Sequence, residues 1–166
     1  SAIVIIGVQG YKIAEQKAEL KIQNAYEEAK VNDSLESFVE THSDTLLGGF
    51  AALELANKSY EANDYSAALE LYTLAENGLI SSPLKDKARI GIAFARYQID
   101  QEDGLSALET LFTDVSIMES GRAEAGYVLL VDAQSKGDEA RAKSFAETIN
   151  AFENAGSWKF RISQFL

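Results

Sequence analysis

The chain has no cysteine and only one each of proline, methionine, tryptophan and histidine. Without cysteine there is no disulfide, no thiolate metal site and no cysteine nucleophile. That absence leaves the redox compartment open, although it suits an oxidising one. With a single histidine, no two-histidine metal site can form. His42 stands near Asp44, yet no serine or cysteine motif accompanies it, so it reads as a polar residue at a helix end rather than a base. Positive charge is scarce too. Lys and Arg number 15 against 26 Asp and Glu, for a net charge of −11. Nucleic acid and anionic lipid both demand concentrated positive charge, so neither is an expected partner. Lys12, Lys17 and Lys21 make no basic patch, because Glu15 and Glu19 lie between them. Nor is there a long apolar run. Ile3-Val4-Ile5-Ile6-Gly7-Val8 falls far short of the roughly 20 residues that span a bilayer. Gly7-x-x-Gly10 is no phosphate loop, since no Lys-Ser/Thr follows it. No cofactor is expected.

What the sequence does have is helix. Apolar residues make up 46% of 166, with eight Phe and seven Tyr, enough to bury a core without cross-links. Ala, Leu, Glu and Lys are abundant and favour helices over strands. From Ile13 to Ala29 the apolar positions recur at three and four, as on one helix face. Asn32-Asp33-Ser34 interrupts that pattern. Asp33 with Glu36 then resembles a capping box opening a short helix through Phe38 and Val39, and Ser43-Asp44 offers another cap.

The middle of the chain is periodic. Leu55-Ala56 leads to Asp64-Tyr65-Ser66-Ala67-Ala68-Leu69. Phe94-Ala95 leads to Asp103-Gly104-Leu105-Ser106-Ala107-Leu108. A third stretch reads Gly137-Asp138-Glu139-Ala140-Arg141-Ala142. Each is a helix, a polar break with a capping Asp, and a helix carrying a small Ala. The register set by Ala68, Ala107 and Ala142 implies stacked helical pairs, each too thin to bury its own face alone. Asp64, Asp103 and Asp138 are the expected N-caps. Gly137 suits a left-handed helix end. Ser82-Pro83 suits a cap followed by proline at the first helical position. Asn77-Gly78 and Gly156-Ser157 read as turns.

The first repeat resembles the tetratricopeptide pattern. Leu55 and Ala56 take the Leu-Gly/Ala pair on helix A, Asp64-Tyr65 the turn, Ala68 and Ala75 the two small positions of helix B, and Tyr72 the aromatic between them. The second repeat keeps Ala95, Asp103, Ala107 and Leu111 but departs at Gly104 and Asp114. The third keeps Gly137-Asp138, Ala142 and Phe145. Pro83 comes three residues late for the usual terminal proline. The whole chain resembles the YfgM-like proteins, ancillary subunits of the bacterial Sec translocon. The resemblance rests on the apolar tail, the long helix with Gln23-Asn24-Ala25-Tyr26, and Leu47-Gly48-Gly49-Phe50-Ala51-Ala52-Leu53-Glu54-Leu55-Ala56. That last stretch is similar to the family's Gly-x-x-Ala-x-Leu-x-Leu-Ala opening of the first full repeat.

The expected fold is therefore all-α: a tetratricopeptide-like solenoid of stacked antiparallel hairpins behind a long N-terminal helix. Residues 1–12 are expected to be the remnant of a membrane anchor, with Tyr11 and Lys12 at the interface; the alternative is an apolar start to a soluble helix. Residues 13–166 form the domain, with a degenerate hairpin at 13–43, repeats at about 48–82, 83–120 and 121–156, and a C-terminal segment at 157–166. The resemblance implies a non-enzymatic adaptor at the bacterial inner membrane, facing the periplasm. Its implied partners are translocon subunits, periplasmic chaperones or exported chains. The alternative is a soluble, cytoplasmic adaptor with an unrelated protein partner. Transferring the groove positions of helix A predicts a protein-binding surface of Phe50, Asn57, Tyr60 and Glu61, then Arg89, Ile92, Arg96 and Asp100, then Glu124, Tyr127 and Gln134. Arg89 and Arg96 lie two turns apart on one helix face and are suited to grip a carboxylate. The alternative for both is surface pairing with Asp86, Asp100 or Glu124.

Overall fold

The computed structural model describes residues 2–80 and 82–166, with side chains from Lys12 onward. Among the described residues, nine α-helices follow in order: α1 Ala2–Val31, α2 Leu35–His42, α3 Leu46–Glu61, α4 Tyr65–Gly78, α5 Lys85–Ile99, α6 Gln101–Thr113, α7 Glu119–Ser135, α8 Glu139–Ala151 and α9 Trp158–Ile162, ending in a 3-10 turn at Ser163–Phe165. The same residues contain no strand. Each helix packs chiefly on its neighbours in sequence.

Successive helices run antiparallel, because their contacts descend one helix as they climb the next. Gly49 near the start of α3 meets Gly78 at the end of α4. Asn57 near the end of α3 accepts a hydrogen bond from the Tyr72 hydroxyl of α4 at 2.8 Å. Glycine is needed at the first crossing: a Cβ on Gly49 would lie 2.9 Å from the Gly78 carbonyl carbon. The same sense holds between α5 and α6, where Gly104 lies against the Tyr97 backbone, and between α6 and α7, where Gly126 faces the Phe112 ring.

Three hairpins close with the same turn. Asp33, Asn63 and Gly137 take positive φ of 53°, 62° and 75°. The next residue's N–H then reaches back five positions: Ser34 to Ala29, Asp64 to Ser59 and Asp138 to Ala133, each at 2.9 Å. These bonds satisfy carbonyls that a helix end leaves open. Asp64 and Asp138 go on to cap the following helix, accepting from Ala67 N at 3.1 Å and Arg141 N at 3.0 Å.

The α5–α6 junction differs. Asp100 alone ends α5 and caps α6, accepting from Glu102 N at 2.9 Å and Asp103 N at 3.1 Å. This corrects the expected cap at Asp103, which sits inside the first turn of α6. Caps therefore fall at Asp64, Asp100 and Asp138, and the fourth residue beyond each is Ala68, Gly104 or Ala142, all buried. Gly104, not Ala107, is the small residue at the second crossing; Ala107 is half-buried.

Other caps shift as well. Thr45, not Ser43 or Asp44, caps α3 through a 3.0 Å bond from Gly48 N. Ser34 precedes α2 without a side-chain cap bond, so no capping box forms around Asp33 and Glu36. The helix after Pro83 starts only at Lys85, with Leu84 before it and no side-chain cap. Gly78 is the last residue of α4 rather than a turn, while Gly156 does turn, at φ 60°.

The core follows the stack. One cluster centres on Leu79, Phe38, Val39 and Ala52 between α2, α3 and α4. A small one joins Ala56, Ala68, Tyr72 and Ala95. The largest runs from Ile90 through Leu108, Phe112 and Leu130 to Ile149 and Ile162. Alanine dominates these clusters because antiparallel helices approach closely only over small side chains. By contrast, residues 12–20 of α1 are exposed on every side. The apolar run Ile3–Val8 expected as an anchor lies outside the residues whose side chains are described. Among the described residues, no helix is long and apolar enough to cross a membrane.

Candidate functional site

The eleven residues predicted for one groove do not share one surface. α5 decides the division. Arg89, Ile92 and Arg96 line a cleft of about 190 Å³ together with Glu76 of α4 and Thr110 and Leu111 of α6. Lys87 and Gln98 leave the same helix on the other side. Residues two apart on an α-helix point about 200° from each other, and residues eleven apart share a face. Gln98 donates to the Tyr60 hydroxyl of α3 at 3.4 Å, and Lys87 is close enough to Glu124 of α7 for its charge to be felt there. Tyr60 and Arg96 therefore stand on opposite sides of α5. This corrects the expectation that they line one surface.

The two arginines are also engaged, though not by the residues anticipated. Arg89 donates to Asp114 Oδ2 at 2.8 Å and approaches Glu76 at 3.7 Å. Arg96 lies 3.8 Å from Asp103. Asp86 instead accepts from Met118 N at 3.0 Å, and Asp100 serves as the cap. Asp114 is held at about 2, far below the ordinary carboxylate value, first by the Ser116 hydroxyl and then by Arg89. The α4–α5–α6 cleft is thus a closed set of internal ion pairs.

The opposite face is more open. α3 contributes Phe50, half-buried, and Asn57 and Glu61, exposed. Tyr60 packs edge-on against Tyr65 at 5.1 Å and reaches Gln98. Tyr72 lies beneath, its phenol pushed up to about 12 by burial and by the neighbouring Tyr60 and Glu61 charges. α7 contributes Glu124, near Lys87 of α5, whereas Gln134 lines a separate cleft with Glu139, Lys143 and Gln164. Burial raises the Glu124 carboxyl above its usual value, with Lys87 pulling against that shift. Tyr127 rests on the Trp158 ring of α9 at 5.3 Å. The face continues towards the N-terminus, where Ile22 and Tyr26 of α1 meet Leu46 and Leu47 of α3 around a cleft of about 490 Å³.

Neither Lys87 nor Gln98 was among the expected groove residues, and the expected register of the second repeat is displaced as well. Anchoring the second repeat on Asp103 and Ala107 moves its register by about a helical turn. The signal that finds the right register is Gly104, the one residue near that break small enough for a crossing against a backbone. No protein-family model, curated protein or solved structure matches this chain.

Proposed function

We propose that this chain is a tetratricopeptide-like, non-enzymatic adaptor that holds segments of other proteins along the face carrying Phe50, Tyr60, Gln98, Lys87 and Glu124. The observation that carries this reading is the recurrent hairpin turn. Three helix pairs close through a residue in the same left-handed conformation followed by a cap or helix start, and all pack in chain order. Stacked pairs of this kind generate an extended surface from successive first helices, and such surfaces suit segments longer than any single pocket. Aromatic side chains on it give large contact area for little ordering entropy. The net charge of −11 repels acidic segments at long range, so the favoured partners carry mixed or basic charge.

The YfgM-like resemblance makes the partners translocon subunits, chaperones or exported chains, met at the periplasmic side of a bacterial inner membrane. A soluble adaptor with an unrelated partner is the second reading, and it uses the same face. Capture from membranes and from the soluble fraction of the source organism tests both. A Tyr60, Lys87 and Gln98 triple alanine variant, with folding checked by circular dichroism, is expected to lose the partners recovered by the parent. An Arg96→Ala variant is expected to keep them. If the triple variant recovers the same partners, the face is not the site.

A further inference from the structure

One cleft on the proposed binding face lies where α1 leaves the body of the molecule. Its floor is apolar: Ile22 and Tyr26 from α1, Leu46 and Leu47 from α3. Leu46 is 51% exposed, more than any other large apolar side chain of α3. At about 490 Å³ the cleft is within the ordinary range for binding sites. The charged residues at its rim, Glu19 and Glu27, are both acidic. Lys30 bridges Glu27 at 3.1 Å, which leaves Glu19 as the rim charge without a bridge among the described residues. Apart from the first-turn amides at Leu46 and Leu47, the walls are helix interiors whose backbone groups are bonded, so the cleft offers an occupant mainly side-chain contacts and no strand edge. An occupant that satisfies its own backbone, a helix, meets that condition.

We infer that this cleft docks an amphipathic helical segment of a partner protein, whose apolar stripe seats on Ile22, Tyr26, Leu46 and Leu47 and whose lysine or arginine flank meets Glu19. This rests on the reading of the same face as a protein-binding surface and names the chemistry taken at its N-terminal end. Charge selects the occupant: an acidic flank would face Glu19 within an already acidic molecule, whereas a basic flank gains from both.

The test uses three labelled peptides of one length, patterned at helical spacing: leucine with lysine, leucine with glutamate, and serine with lysine. Binding is read by fluorescence anisotropy and mapped by amide chemical shifts on the full chain. The leucine–lysine peptide is expected to bind and to shift Ile22, Tyr26, Leu46 and Leu47. The other two are expected to bind at least about tenfold more weakly. Leu46→Ser, at an exposed position, and Glu19→Lys, on the exposed stretch of α1, should each weaken the leucine–lysine peptide by a similar factor without changing the circular dichroism.

Equal binding of the serine–lysine peptide would reduce the effect to bulk charge and overturn the proposal. So would equal binding of the leucine–glutamate peptide, or no binding by any of the three. Shifts confined to Tyr60, Gln98 and Glu124 would overturn this docking site while leaving the broader reading of the face intact. Shifts of the four cleft residues on dilution of the protein alone would mean that a second copy fills the cleft, which also overturns it.

Discussion

Single residues in this chain are judged by what stands against them. Ala68 is fully buried at the α3–α4 crossing, and Ala68→Leu should overpack it by roughly 1–3 kcal/mol, read by urea denaturation. Gly104 is the sharper case, because a Cβ there would run into the Tyr97 backbone, which cannot swing aside like a side chain. Gly104→Ala should therefore destabilise by more than Ala107→Gly, which changes a half-buried position. If the two cost the same, the corrected register of the second hairpin is wrong. Asp114 gives a pH signature. Its carboxyl is depressed to about 2, so the stability it adds is fully present above about 4 and is lost as pH falls through about 2. Asp114→Asn should flatten the stability profile across that window and leave its slope near neutrality unchanged. Glu124 has the opposite sense. Burial raises its pKa, so its ionised form opposes folding above that value, and only Lys87 offsets the cost. Lys87→Ala should push the Glu124 titration further up, as followed by side-chain carboxyl shifts.

At the level of the element, the ends of helices carry more information than their middles. Asp64, Asp100 and Asp138 each hold a free amide at a helix start. Replacing any one with Ala should cost about 0.5–2 kcal/mol. Asp103→Ala should cost less, since Asp103 caps nothing and only approaches Arg96 at 3.8 Å. Thermal denaturation of the four variants side by side checks the ordering. The turn residue Asn63 sits at φ 62°, where glycine is freer than any residue with a Cβ. Asn63→Gly should be neutral or stabilising, while Asn63→Val should cost roughly 1–2 kcal/mol. Gly137 gives the cleanest measure of backbone strain. It holds φ 75°, and a methyl group added there would meet nothing within 4 Å, so the cost of Gly137→Ala is that of the left-handed backbone alone.

Across the whole molecule, stability should follow the stack. Contacts join mainly adjacent helices, so each helix is held by its neighbours rather than by one central core. Helices α3 to α7 have neighbours on both sides. The stretch of α1 from Lys12 to Leu20 is exposed throughout. Hydrogen exchange should therefore be fast over Lys12–Leu20 and slowest in α4 and α5. Uniform protection along the chain would mean that α1 is covered in solution by something the monomer does not supply.

The sequence by itself determined the helical fold, the approximate number of hairpins and most of their breaks. Each is written in local chemistry: apolar spacing at three and four, Asp before a helix, Gly or Asn at a left-handed end. It also placed Asp64, Asp138, Ala68 and Tyr72 where they act, because the first and third hairpins use a full turn with a recognisable polar break. Only the tertiary structure decided the register of the second hairpin. Its break, Ile99-Asp100-Gln101-Glu102-Asp103-Gly104, offers two Asp residues that local propensity cannot separate. The choice falls to Asp100 because Gly104, four residues on, is what lets α6 lie against the Tyr97 backbone. That close approach is a contact between helices, invisible along the chain, and it turns Arg89 and Arg96 to one side of α5 and Lys87 and Gln98 to the other.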